Sequence, residues 1–99
     1  MEHYHFSFAG TKQVHKKILV GCVGSGDLEV LMQPNSEQQI NIHVLTAATG
    51  SKKRWEHLFD RMFVNGVLPA VTVQIHDFAA TPGVIRLRME QAFEEICDE

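Results

Sequence analysis

The sequence predicts an α+β domain: a single, mostly antiparallel sheet in the element order β-β-β-β-α-β-α, with two amphipathic helices packed on one face. Two observations predict it. Apolar side chains alternate with period two through the first half and again near residue 73, and follow the helical period over residues 55–63 and 85–96. Turn residues separate the early runs by connections too short for parallel crossovers, which favours antiparallel pairing of neighbours. One sheet covered on one face by two helices buries all of these stripes together.

The elements follow in order. Tyr4, Phe6 and Phe8 alternate with His3, His5 and Ser7, the pattern of a half-buried strand. Ile18-Leu19-Val20-Gly21-Cys22-Val23 is short and apolar, the pattern of a strand covered on both faces, in which Cys22 reads as a small core hydrophobe. Gly24-Ser25-Gly26-Asp27 interrupts it before Leu28–Met32 resumes, so strands near 17–23 and 27–32 read as a β-hairpin with Ser25 at its exposed tip. Pro34-Asn35-Ser36 marks a further turn, and Ile40, Ile42 and Val44 give a fourth strand.

Trp55, Leu58, Phe59, Met62 and Phe63 then lie on one helix face, with Ser51 as N-cap and Asn65-Gly66 as the stop. Val71, Val73 and Ile75 form the fifth strand. Thr81-Pro82 opens the last helix, with a capping hydroxyl before a proline at the first helical position. Its buried stripe is Ile85, Met89, Ala92, Phe93 and Ile96. Neither repeat nor linker divides the chain, so residues 1–99 read as one domain.

Composition narrows the function classes. The chain is 44% hydrophobic and 21% charged with a formal net charge of −3, the balance of a folded protein. Its basic residues form no broad face, which argues against nucleic acid; Lys52-Lys53-Arg54 reads as the solvated start of a helix. No apolar run reaches membrane-spanning length, and the Met1-Glu2-His3-Tyr4 start is unlike a signal peptide, so a cytoplasmic protein is expected. Cys22 and Cys97 do not make a disulfide framework.

Ser25 is the leading candidate for chemistry. Between two glycines, its primary hydroxyl has no bulky neighbours and suits a modifying enzyme that must bring up a large donor. Gly24-Ser25-Gly26-Asp27 is equally ordinary turn chemistry, and such clusters mark turns in general. Asp27 serves either a metal ion during transfer or the turn itself. A hydrolase nucleophile elbow is excluded because Val23 stands where glycine is needed, and a phosphate-binding loop because Asp27 and a strand follow instead of Lys and a helix. His3 and His5 share a strand face without a second pair to complete a metal site. His76 and Asp77 are adjacent strand residues and point to opposite faces, which suits structural or partner contacts better than acid–base work. Arg86 points outward from the last helix and Arg88 lies nearer its boundary; both read as a solvated flank, with an acidic partner or a phosphate as the alternative.

Leu19-Val20-Gly21-Cys22-Val23-Gly24-Ser25-Gly26-Asp27-Leu28-Glu29-Val30-Leu31 resembles the modification-site region of the malonate decarboxylase acyl carrier (delta subunit) family. Residues 75–92, from Ile75-His76-Asp77-Phe78 to Met89-Glu90-Gln91-Ala92, match the same family. The divergent parts are the N-terminal strand and the Gln33–Gln39 turn. The resemblance implies a non-catalytic carrier whose Ser25 is joined through a phosphodiester to 2'-(5''-phosphoribosyl)-3'-dephospho-CoA, installed by a phosphoribosyl-dephospho-CoA transferase. It also implies that the arm's thiol, rather than either cysteine, carries acetyl and malonyl groups between the transferase and decarboxylase subunits of malonate decarboxylase. A thioester stabilises the carbanion left by decarboxylation better than a carboxylate does, and tethering raises its effective concentration at both sites. The citrate lyase carrier is a more distant resemblance with the same arm chemistry. An unmodified scaffold subunit is the alternative, and a small enzyme built on Ser25 or His76-Asp77 is weaker still because no nucleophile–base–oxyanion set can be assembled.

Overall fold

The computed structural model describes residues 1–63 and 68–98. The elements are β1 (Glu2–Ala9), β2 (Ile18–Gly21), β3 (Leu28–Pro34), β4 (Gln39–Thr46), α1 (Lys52–Met62), β5 (Val71–Asp77) and α2 (Pro82–Cys97). The order expected from sequence is the order observed. The Asn65-Gly66 helix stop lies outside the described residues.

The five strands form one sheet in the order β1-β4-β5-β3-β2. Pairing is antiparallel except between β4 and β5, which are parallel because α1 carries the chain back between them. This corrects the expectation that sequence neighbours pair. Among the first four strands only β2 and β3 do so; β5 inserts between β3 and β4, and β1 and β2 become opposite edges. The Pro34-Asn35-Ser36 turn therefore arches over the start of β5. The Asn35 N–H donates to Ala70 O (3.1 Å), its side-chain amide donates to Thr72 Oγ1 (3.3 Å), and its side-chain oxygen accepts from Glu37 N–H (3.0 Å).

Register puts Phe8, Ile40 and Val71, then Phe6, Ile42, Val73 and Met32, then Tyr4, Val44, Ile75 and Val30 in rows on one face. Both helices cover that face, as the two apolar periods require. Trp55 and Phe59 of α1, and Ile85, Met89, Ala92 and Ile96 of α2, are buried against it. Leu58, Met62 and Phe93 are only partly buried and close the rim. The opposite face is uncovered. It carries His5 stacked on His43 across the β1–β4 pair, with ring centroids 4.5 Å apart.

Two local expectations are corrected. The strand read over residues 18–23 ends at Gly21, whose φ of +96° takes the chain out of the β region. A side chain there would also collide with Leu28 O, 1.9 Å from the position of a Cβ. As a result β2 is a short edge strand rather than one covered on both faces; Leu19 and Val23 are 59% and 66% exposed, and Cys22 is exposed instead of buried. At the start of α1, Ser51 occupies the N-cap position without capping: its side chain accepts no N–H and its Oγ is buried without a partner. Thr81 does cap α2, accepting from Val84 N–H at 3.3 Å. No helix of the described residues is long and apolar enough to cross a membrane.

Candidate functional site: a braced serine turn

Ser25 is exposed at the tip of the β2–β3 hairpin, as its glycine neighbours imply. The turn closes through Asp27 N–H donating to Gly24 O at 3.1 Å, with Gly26 at φ +79° in the third position. A positive φ at that position favours glycine, since an L side chain there crowds the following carbonyl. Ser25 itself is not in the left-handed region. Gly24 differs from Gly26: its φ is not positive and a Cβ there would meet nothing within 4 Å. Among the described residues nothing stands where a side chain at position 24 would go. The open space around it is room in which a large group can approach the hydroxyl.

The turn is braced from the other side of the molecule. Gly26 N–H donates to Phe78 O (2.7 Å) and Phe78 N–H donates to Asp27 O (2.9 Å), which ties the tip to the segment between β5 and α2. Arg88 of α2 reaches the same place. Its Nε donates to Asp27 Oδ1 (3.1 Å) and its Nη2 to Asp27 Oδ2 (2.8 Å), the fork geometry that suits guanidinium and carboxylate. Asp27 Oδ1 also accepts from Leu28 N–H at 2.8 Å. Hydrogen bonds from Arg88, then from the Leu28 amide, hold the Asp27 carboxyl below the usual carboxylate range, while Asp27 raises the Arg88 guanidinium.

These contacts settle several sequence readings. Asp27 shapes the turn, and both of its oxygens are engaged by Arg88. Arg88 is therefore not a solvated flank, in contrast to Arg86, which is exposed and, among the described residues, pairs only with Glu90 one turn on (2.9 Å). The Asp27–Arg88 pair spans 61 residues of sequence, and no local pattern announces it; the one available sign is that Arg88 falls at the edge of the buried stripe of α2. His76 and Asp77 do point apart. Asp77 is buried, accepting from Thr46 Oγ1 (2.7 Å) and Ala80 N–H (2.9 Å), while His76 lies on the uncovered face against Phe78. They do not form an acid–base pair. Among the described residues no group of three His, Cys, Asp or Glu side chains is placed to hold a metal ion.

Fold and site together define a small α+β domain that displays one primary hydroxyl on a braced and sterically open turn. Residues 15–96 match the family described as "Malonate decarboxylase delta subunit (MdcD)". The chain is 53% identical over 96 residues to the malonate decarboxylase acyl carrier protein of Azotobacter vinelandii, covering 97% of each. With that of Pseudomonas putida (strain W619) it shares 52% over 99 residues, the whole of both chains. A chain of a solved structure, the crystal structure of a Pseudomonas malonate decarboxylase hetero-tetramer in complex with malonate, superposes with a TM-score of 0.93 at 52% identity, covering 97% of this chain and 99% of that one. The chain belongs to the malonate decarboxylase delta subunit family.

Proposed function

We propose that this chain is the acyl carrier subunit of a malonate decarboxylase and that Ser25 is where its covalent prosthetic group is attached. The observation that supports this most is Ser25 itself: an exposed hydroxyl on a turn with vacant space at both glycines, in a family whose relatives are named acyl carrier proteins. A bulky covalent group fits there, since, apart from the chain neighbours, no atom of the described residues lies within 4 Å of where a Cβ would stand at either flanking glycine. The group is phosphoribosyl-dephospho-CoA, attached through its phosphodiester by a dedicated transferase; when bound, it supplies a thiol that holds acetyl or malonyl as a thioester.

The chain's own contribution is presentation. Asp27, Arg88 and the Phe78 backbone fix the turn, so the attachment point is held in one geometry for the modifying transferase and for the transferase and decarboxylase subunits of the complex. Ser25 needs no activating base of its own, because the modifying enzyme brings the catalytic groups. His76, on the uncovered face, and the buried Asp77 remain structural.

Intact mass of protein from a host with the matching transferase tests this. The wild-type chain is expected to carry one adduct of the mass of the arm, and a Ser25→Ala variant none, with malonate turnover in the reconstituted complex lost at the same time. Because Ser25 is exposed and not in the left-handed region, alanine should change stability by less than about 0.5 kcal/mol. A folded, adduct-free variant that released carbon dioxide at the wild-type rate would show the chain to be an unmodified scaffold.

A further inference from the structure

A second feature borders the segment that braces the serine turn. A cleft of about 260 Å³ opens between α1 and the start of α2. Trp55, Leu58 and Ile85 supply an apolar wall, and Arg54 and Arg61, both exposed, line it from one flank of α1. Neither arginine has an ion-pair partner among the described residues. The N-terminal ends of both helices meet here, since Ser51 and Pro82 line the cleft too, and neither helix has an acidic residue in its first turn. Helix N-termini attract anions.

Ser51 gives the independent sign of a ligand. It is only 3% exposed, it lines the cleft, and its Oγ has no hydrogen-bond partner. A buried hydroxyl without a partner is costly, on the order of 1–3 kcal/mol, and points to an occupant that supplies one. The carboxylate in the wall, Asp77, does not oppose an anion strongly, because Thr46 Oγ1 and Ala80 N–H engage its two oxygens. Asp77 and Ala80 are also the link to Ser25: they flank Phe78, whose backbone holds the tip of the hairpin.

We propose that this cleft is a resting site for a phosphate-bearing, pantetheine-type group, occupied in the working protein by the arm carried on Ser25. Arg54, Arg61 and the two helix ends receive phosphate charge, Ser51 Oγ donates to the ligand after a χ1 turn brings it to the cleft surface, and the apolar wall covers its less polar part. The occupant follows from chemistry: an anionic group with an apolar portion matches a cationic rim over an apolar wall, and such a group is proposed for the turn next door. The inference rests on the Ser25 reading for its source of ligand, but the titration of the unmodified chain with free ligand stands without a modified serine.

The test is a titration of the unmodified Ser25→Ala chain with free dephospho-CoA, read by the emission of Trp55, the only tryptophan. Saturable binding is expected in the millimolar range, where a tether can hold the site occupied. Arg54→Gln/Arg61→Gln should weaken it about tenfold, as loss of charge-assisted contacts implies. Ser51→Ala should weaken it without lowering stability, since the hydroxyl has no partner to lose. The loaded wild-type protein should show the shifted emission already and not respond to added ligand. A flat titration to about 5 mM, an effect indifferent to the arginines, or a loaded protein that still binds free ligand as the unmodified one does would each overturn the proposal. So would a flat titration in which the arginine variant instead loses its association with the other subunits, because the cleft would then be a protein contact. Failure of the mass adduct would sink the Ser25 reading and leave this titration standing, so the two failures are distinguishable.

Discussion

Gly24 and Gly26 flank the same serine for different reasons, and that difference can be measured. Gly26 is fixed by its φ of +79°, so Gly26→Ala should lower stability by about 1–2 kcal/mol in urea unfolding. Gly24 has no such constraint and free space around it, so Gly24→Ala should leave stability unchanged or raise it by up to about 1 kcal/mol. Under the proposed function, its cost should appear instead as slower attachment of the arm to Ser25, read from the time course of the mass adduct. The exposed position of Ser25 on its turn was legible in sequence because glycine and serine are local turn signals. Arg88 was not, because its value lies in a contact with Asp27 made across the fold. That contact carries a pH dependence whose sign is set by the lowered Asp27 value. A carboxyl depressed in the folded state stabilises it above its unfolded value, near ~3.9, and the contribution is lost as pH falls through the folded value. Amide exchange at Gly26 and Asp27 should therefore be indifferent to pH-linked loosening near neutrality and should show it only below about pH 3.9. Loosening that set in near neutral pH would assign the brace to another group.

At the scale of elements, all seven among the described residues were legible, five from a periodic apolar face and β2 and β3 from short apolar runs beside turn residues; the reading of β2 then went astray. An apolar run looks the same whether it is covered on both faces or displayed at an edge, and the exposed Leu19 and Val23 show that this one is displayed. The segment between β5 and α2 held a feature that composition does not reveal. Ala79 adopts φ +64°, a left-handed conformation unusual for alanine. Asp77 accepting from Ala80 N–H, and the two Phe78 backbone bonds to the hairpin, hold it there. Relieving that conformation with Ala79→Gly should raise stability by about 0.5–1 kcal/mol, seen as a higher urea midpoint at unchanged slope. A lower midpoint would mean that the added freedom of the unfolded chain outweighs the relief, and that the left-handed residue is not strained.

For the whole molecule, the sheet face and its helical cover were legible, whereas the strand order was not. Short connections favour pairing between neighbours, but α1 lets β5 return parallel to β4 and occupy the place between β4 and β3. Only the packing of the complete core selects that arrangement. Phe59 is its centre: fully buried, it meets Phe6 and Phe8 of β1 at 5.3 and 6.2 Å between ring centroids, and Trp55 and Phe63 each at 5.9 Å. Phe63 in turn meets Phe8 at 5.0 Å and Phe93 of α2 at 5.5 Å, so Phe59 and Phe63 together join the edge strand to both helices. Phe59→Ala removes the fully buried centre of that cluster and leaves a cavity, at a cost of about 3–5 kcal/mol. Against a total of roughly 5–15 kcal/mol for a domain, the melting temperature should fall steeply, by about 4–8 °C for each kcal/mol lost. The serine turn draws its geometry from Asp27, Arg88 and Phe78 rather than from this cluster, so the fraction that remains folded should still be loaded at Ser25 at the wild-type rate. Urea unfolding and the loading time course, followed on the same variant below its midpoint, separate the two effects. An unchanged midpoint would place the core elsewhere, and slowed loading of folded protein would mean that the aromatic cluster helps to hold the turn.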